Sequence, residues 1–186
     1  MISTADFRNG MVVVLNDTLM EIVEFQHVKP GKGGAFVRTK LKNVLTGRVL
    51  DRTFRAGERM EEARLEEVSY QYLYHDGDLY HFMDNETFEQ TAVGQDVVGE
   101  NNNWLKENTN VGLVFYNGKV IAITIPNFVE LQITKCDPWI QGDRSSGGTK
   151  PATLETGVAV QVPLFVNEGD VVKVDTRSGE YIERIS

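Results

Sequence analysis

His27-Val28-Lys29-Pro30-Gly31-Lys32-Gly33-Gly34-Ala35-Phe36-Val37-Arg38-Thr39-Lys40-Leu41-Lys42 is the stretch on which the reading of the fold turns. Successive side chains of a strand point to opposite faces. In the outgoing half, Ala35, Val37, Thr39 and Leu41 therefore share one face, and Arg38, Lys40 and Lys42 share the other. The pattern predicts a buried stripe backed by a basic one. The middle of the stretch cannot continue a strand. Pro30 fixes its own φ and lacks a donor, while Gly31, Gly33 and Gly34 open backbone shapes barred to other residues. A hairpin is expected, with Lys32 at its tip. On local grounds the loop is either a plain connector or a device that presents one unshielded ammonium. If about seven residues of each arm project, the tip stands roughly 23 Å from the base.

Period-two patterning continues outward in both directions. Val12–Leu15, the turn pair Asn16-Asp17, and Leu19–Phe25 read as a hairpin before the loop. After it come Thr46-Gly47, a strand from Arg48 to Phe54, and Ala56-Gly57 as the end of a unit. Met60-Glu61-Glu62-Ala63-Arg64 is expected to be a boundary. Asp76-Gly77 between Tyr70–Tyr74 and Leu79–Met83 predicts another hairpin. So does Asn117-Gly118 between Val111–Phe115 and Val120–Ile125. A short helix is expected near Asn101–Glu107. Val129–Ile133, Val158–Val162, Leu164–Val166, Val171–Val174 and Tyr181-Ile182 read as strands, around a polar loop from Asp137 to Pro151. Many short strands with frequent turns predict an all-β chain of small barrels in series. The divisions expected are 1–64, 65–128 and 129–186.

Net charge is −8 over 186 residues, which argues against a nonspecific nucleic-acid binder. The charge is uneven: +2 over residues 1–63, −7 over 64–128 and −3 over 129–186. An RNA contact is thus to be sought in the first third, where Arg38, Lys40 and Lys42 are either backbone contacts or a solvated face. Neither a signal peptide nor a spanning segment is evident, and Cys136 is the lone cysteine; a cytoplasmic protein is expected.

Signals of catalysis are poor. His27, His75 and His81 are scattered, and Cys136 lacks an activating context. His75-Asp76-Gly77-Asp78 and Asp84-Asn85-Glu86 do not match a calcium loop, so no metal is expected. Gly142-Asp143-Arg144-Ser145-Ser146-Gly147-Gly148-Thr149-Lys150 superficially suggests a phosphate loop but ends Gly-Gly-Thr-Lys instead of Gly-Lys-Ser/Thr. It reads as a connector or as a loop making backbone contacts to RNA. Tyr70, Tyr72 and Tyr74 alternate on one strand; packing is favoured over base stacking because their surroundings are acidic.

Three segments, in order, resemble the translation elongation factor P family. Phe25 to Val37 resembles its first-domain hairpin. Tyr72-Leu73-Tyr74, Asp76-Gly77, Phe82-Met83-Asp84 and Thr87-Phe88-Glu89-Gln90 resemble its second domain. Gly147 to Gly157, Val162 to Val166, and Val174 to Tyr181 resemble its third. The resemblance implies an SH3-like, KOW-like barrel followed by two OB-fold barrels, arranged in an L. It implies a monomer with no cofactor and no catalytic residues. It implies binding to the 70S ribosome between the peptidyl and exit sites, and relief of stalling at consecutive prolines. Lys32 would meet the acceptor end of prolyl peptidyl-tRNA, supported by Lys29, Pro30, Gly31, Gly33 and Gly34. A modifying enzyme would extend Lys32 with a lysyl-type or aminopentanol group. Gly142 to Lys150 would lie near the exit-site messenger codon, beside ribosomal RNA. The alternative is the elongation-factor-P-like paralogue, against which Lys29-Pro30-Gly31-Lys32-Gly33 weighs.

Overall fold

The computed structural model describes residues 1–138 and 148–186. Its strands form three small curled sheets. The first contains β1 (Ile2–Ser3), β2 (Val12–Leu15), β3 (Thr18–Val28), β4 (Phe36–Asn43), β5 (Val49–Arg55) and β6 (Arg59–Ala63), in the order β1-β6-β2-β3-β4-β5. The second contains β7 (Glu66–His75), β8 (Leu79–Asp84), β9 (Gln90–Gly94), β10 (Asn110–Tyr116) and β11 (Lys119–Thr124), in the order β11-β10-β7-β8-β9. The third contains β12 (Phe128–Cys136), β13 (Thr149–Leu154), β14 (Ala159–Pro163), β15 (Val171–Asp175) and β16 (Glu180–Arg184), in the order β14-β13-β12-β15-β16. Edge strands β14 and β16 approach each other, which curls the third sheet toward closure. The described residues group into two compact units, 1–67 with 114–122, and 68–113 with 123–186.

Turn chemistry set by sequence explains the hairpins. Asn16 and Asp17 have φ of 48° and 60° and link β2 to β3 with Leu15 opposite Thr18. Two left-handed residues in a two-residue loop match the twist of the flanking strands. Asn117 and Gly118, at φ 50° and 77°, do the same between β10 and β11. At Asp76-Gly77 the aspartate accepts from the backbone N–H groups of Asp78 (3.0 Å) and Leu79 (2.8 Å), and His81 Nε2 lies 2.7 Å from its Oδ2. These contacts hold the Asp76 carboxyl well below its usual range, the Leu79 N–H contributing most.

The first core gathers Phe7, Val13, Met20, Ile22, Val37, Leu41, Phe54 and Met60. Val37, Thr39 and Leu41 are buried, as alternation predicts. In the second unit, Trp104 joins two sheets. It ends a 3-10 turn (Gly99–Trp104) that follows the short helix α1 (Gln95–Val98), and it packs into the third sheet's core of Leu131, Ile133, Leu154, Val172 and Val174. Beside it the Thr156 hydroxyl donates to the Asn103 carbonyl at 2.6 Å, and Lys106 pairs with Glu155 at 3.3 Å.

Several expectations change. The helical segment occupies Gln95–Trp104 and overlaps the expected Asn101–Glu107 only at its end, because Leu105 turns extended (φ −85°, ψ 104°) and stops it. Leu164 and Phe165 form a turn; Val166 is buried but lies outside any strand. The segment read as a boundary, Met60 to Arg64, is mostly strand β6, with Met60 and Ala63 buried. Tyr70, Tyr72 and Tyr74 do not share a face. A bulge between Tyr72 and Tyr74 leaves the first two buried and Tyr74 exposed, stacked on His81 at 4.4 Å.

Trp104→Ala is expected to cost about 3–5 kcal/mol in the second unit, because truncating a buried tryptophan loses transfer energy and leaves a cavity; urea denaturation followed by circular dichroism measures it. Asp76 has a depressed folded pKa. Its stabilisation is therefore present above the ordinary aspartate value of about 3.9 and is lost as pH falls toward the lowered one. Asp76→Asn should be less stable than the parent at pH 7 yet lose less stability on acidification, measured by denaturant midpoints at both pH values.

Candidate functional site

The Lys32 loop rests on three strands. β4 pairs with β3 on one edge and β5 on the other, and the last matched row is Val28, Phe36 and Arg55. One further bond, from the Ala56 N–H to the Ala35 carbonyl at 3.1 Å, guides the outgoing arm past that row. β3 leaves β2 after Ile22, which still bonds Met11 and Gly10. Val23–Val28 then run on, a reach of about 20 Å. That agrees with the length expected from sequence. The stalk is not a free two-stranded finger, however, because β5 braces it and aromatic rings line its inner face. Phe7 meets Phe25 edge-on at 6.0 Å and Phe54 at 5.6 Å, and Phe25 meets His27 at 5.7 Å.

Beyond this slab Lys29, Pro30, Gly31, Lys32, Gly33 and Gly34 are all exposed. Gly33 has φ +99°, which an L side chain adopts only with strain. Gly31 and Gly34 lack a positive φ, and a Cβ on either would meet nothing within 4 Å. The free chain therefore requires glycine only at Gly33.

The basic stripe is less basic than its sequence suggests. Arg38, Lys40 and Lys42 are exposed on one face. Lys40 lies between Glu24 and Asp51 on the neighbouring strands, with its Nζ 3.7 Å from a Glu24 oxygen. Lys42 faces Glu21. Arg38 faces the uncharged Gln26 and Thr53, and its guanidinium sits 5.6 Å from the Phe36 ring centre. Toward the tip, Arg38 faces no carboxylate on the neighbouring strands, Lys29 and Lys32 are exposed, and Arg55 lies beside them with the Glu58 carboxylate accepting from its backbone N–H at 3.0 Å. Sequence reasoning missed Arg55. Its place beside the loop follows from the register of β5, which alternation within one strand does not reveal.

Of the Gly-rich segment of the last third, Gly148, Thr149 and Lys150 are among the described residues. Gly142, Asp143, Arg144, Ser145, Ser146 and Gly147 lie outside the described residues. Gly148 sits against Leu164, and a Cβ there would come within 3.2 Å of the leucine Cδ1. Thr149 begins β13 opposite Pro163. Lys150 is a strand residue only 7% exposed, and its ammonium donates to the Asp137 carbonyl. The other polar candidates satisfy local roles. Asp84, like Asp76, caps its own turn, and His75 stacks on Tyr80 at 3.9 Å. Cys136 is half-buried with its Sγ 3.8 Å from the Val166 carbonyl. Among the described residues no group of His, Cys, Asp or Glu is arranged to hold a metal ion, and no helix is long and apolar enough to cross a membrane.

Comparison with known proteins gives this geometry its family. Residues 3–60 match the elongation factor P KOW-like domain, 65–123 the elongation factor P OB domain, and 129–184 the elongation factor P C-terminal domain. The chain belongs to the elongation factor P family. Elongation factor P of Moorella thermoacetica is 54% identical over 184 residues, covering 99% of this chain and 100% of that one. Those of Acetivibrio thermocellus and Natranaerobius thermophilus are 51% and 52% identical over 185 residues, covering all of this chain and 100% and 98% of theirs. Among solved structures, the fold resembles a eukaryotic translation initiation factor 5A from Methanococcus jannaschii, with TM-score 0.52 and 22% identity over 66% of this chain and 92% of that one. It also resembles a translation initiation factor eif-5a family protein from Naegleria fowleri, with TM-score 0.54 and 17% identity over 67% and 96%. Two thirds of this chain thus span nearly all of either neighbour. As an elongation factor P family member, the protein is a translation elongation factor that works with the ribosome.

Lys150→Ala is expected to lower stability by about 2–3 kcal/mol, because it removes a buried stem and strands the Asp137 carbonyl without its donor. A lysine serving only as a surface RNA contact would change stability by no more than about 0.5 kcal/mol. Denaturant melts of the variant separate the two.

Proposed function

We propose that this elongation factor P binds the 70S ribosome between the peptidyl and exit sites and promotes peptide-bond formation at consecutive prolines. The observation that carries the proposal is Lys32, exposed between Gly31 and Gly33 at the tip of a braced slab. Proline is a poor donor and acceptor in peptidyl transfer because its ring restricts the reacting geometry. Holding the acceptor end of prolyl peptidyl-tRNA in a productive pose removes an entropic part of the barrier. Such a factor works by position and needs no acid, base or nucleophile of its own. The tip cluster of Lys29, Lys32, Arg38 and Arg55 supports contact with tRNA and ribosomal RNA phosphates, since four exposed cations gather at one end of a domain with a basic surplus.

Gly31 and Gly34 support close approach of a partner, since nothing in the chain itself excludes a side chain there. In this reading Lys32 is also the target of a modifying enzyme that adds a lysyl-type or aminopentanol extension, lengthening the reach of the ammonium. Residues 142–149 would face the exit-site messenger codon. Lys150 is better placed to anchor that segment than to touch RNA, given its burial. The setting is the cytoplasm.

Lys32→Ala is expected to fold and to co-sediment with ribosomes nearly as the parent does, yet to lose relief of stalling in a purified system translating a Pro-Pro-Pro message. Full rescue by the variant would overturn the role of Lys32. Failure of the parent chain to sediment with ribosomes carrying prolyl peptidyl-tRNA would overturn the site.

A further inference from the structure

The turn between β8 and β9 holds a bulky apolar side chain that is mostly exposed. Phe88 has φ +62° and is 68% exposed. The other non-glycine residues at positive φ among those described are Asn16, Asp17, Asn108 and Asn117, whose short polar side chains suit the left-handed region. Phe88 has no such excuse, and its ring is more exposed than any other large apolar side chain described except that of Met1.

The surroundings force this conformation. The Asp84 carboxylate accepts from the N–H groups of Glu86 (2.8 Å) and Thr87 (3.1 Å), and the Phe88 N–H donates to the Asp84 carbonyl at 2.9 Å. Asn85 ties the turn to the sheet through Ser69 Oγ at 2.7 Å and Asn110 Oδ1 at 3.3 Å. Strain persists where a structure over-determines it, and it gathers at functional sites. A glycine or asparagine would remove both the strain and the exposed ring. Burying the ring on a partner would remove the exposure and offset the strain.

The charge around the ring selects that partner. Glu86 and Glu89 flank it, both exposed, in a segment of residues 64–128 with net charge −7. Such a field repels phosphates and attracts a cationic surface. We propose that Phe88 is an aromatic anchor that docks the second domain onto a basic ribosomal protein, seating its ring in an apolar recess rimmed by Lys or Arg. The proposal rests on the ribosome reading above and adds a protein contact to its RNA contacts.

A photoreactive benzoyl-phenylalanine at position 88, irradiated in complex with 70S ribosomes, tests it. The expected adduct is a basic ribosomal protein, destroyed by protease and resistant to ribonuclease. An adduct to RNA, or no adduct from a complex that sediments, overturns the proposal. In a second arm, Phe88→Gly is expected to raise the melting midpoint of the free protein by about 2–4 °C. It should weaken ribosome binding about tenfold or more, as loss of an aromatic anchor does. Phe88→Tyr should bind as the parent does. A fall of several degrees for Phe88→Gly would show that the ring packs within the free chain and would overturn the proposal, as would unchanged binding. If the unaltered chain itself fails to sediment, the ribosome reading falls and takes this one with it.

Discussion

Hydrogen bonding along both edges of β4 is the constraint on which the first domain depends. Its seven rows from Phe36 to Lys42 are matched to β5, and the same seven, with Asn43 beyond them, are matched to β3. With both edges filled, the pleat cannot slip. A shift of one residue would expose Val37 and Leu41 and bury Arg38 and Lys40. One extra residue in β3 adjusts the pattern. The bulge at Val23, between Ile22 and Glu24, turns Phe25 and His27 toward the Phe7 side and sends Glu24 and Gln26 outward. The same bulge places Glu24 beside Lys40. It thereby neutralises the middle of the basic stripe and leaves the tip as its positive end.

Much of this was legible in the sequence because it depended on local rules. Left-handed turns at Asn16-Asp17 and Asn117-Gly118, the Asp76-Gly77 hairpin, and the alternation of Val37, Thr39 and Leu41 each follow from a few adjacent residues. The candidate loop was legible for the same reason, since Pro30 and three glycines bar a strand. What escaped depended on pairing across the chain. Neither bulge has a sequence mark of its own, so Tyr74 was grouped with Tyr70 and Tyr72 although the ladder turns it outward. Arg55 joins the tip only through the register of β5. Lys150 looks like the end of a polar loop until Asp137, thirteen residues earlier, supplies the carbonyl that its ammonium meets.

The second unit treats two aromatic residues in opposite ways. Trp104 leaves a short helical turn of one sheet and enters the core of another, where it is 8% exposed and where Gly179 comes close enough that a Cβ would sit 3.9 Å from its Cζ2. Its burial fixes two sheets that would each be marginal at this size. Phe88 is held outside by a turn in which Asp84 accepts from the N–H groups of Glu86, Thr87 and Phe88. A sequence in which local preference and packing agree needs no such residue. The disagreement at Phe88 therefore carries more functional information than the agreement at Trp104.

The same logic applies at the loop. Gly33 is explained by its own backbone, and Gly31 and Gly34 are not. A side chain at either would stand in open space in the free protein, so the chain's own packing does not select against one. If small residues are needed there, the reason is steric and external: a surface that comes within contact distance of the backbone on both sides of Lys32. An ammonium held between two bare stretches of backbone enters a narrow space more easily than one crowded by adjacent side chains. The braced slab behind it limits how far that ammonium wanders, which reduces the entropy lost when it is placed. Reach, narrowness and stiffness are thus supplied by different residues, Val23–Val28, Gly31 with Gly34, and β5, and they act together on Lys32.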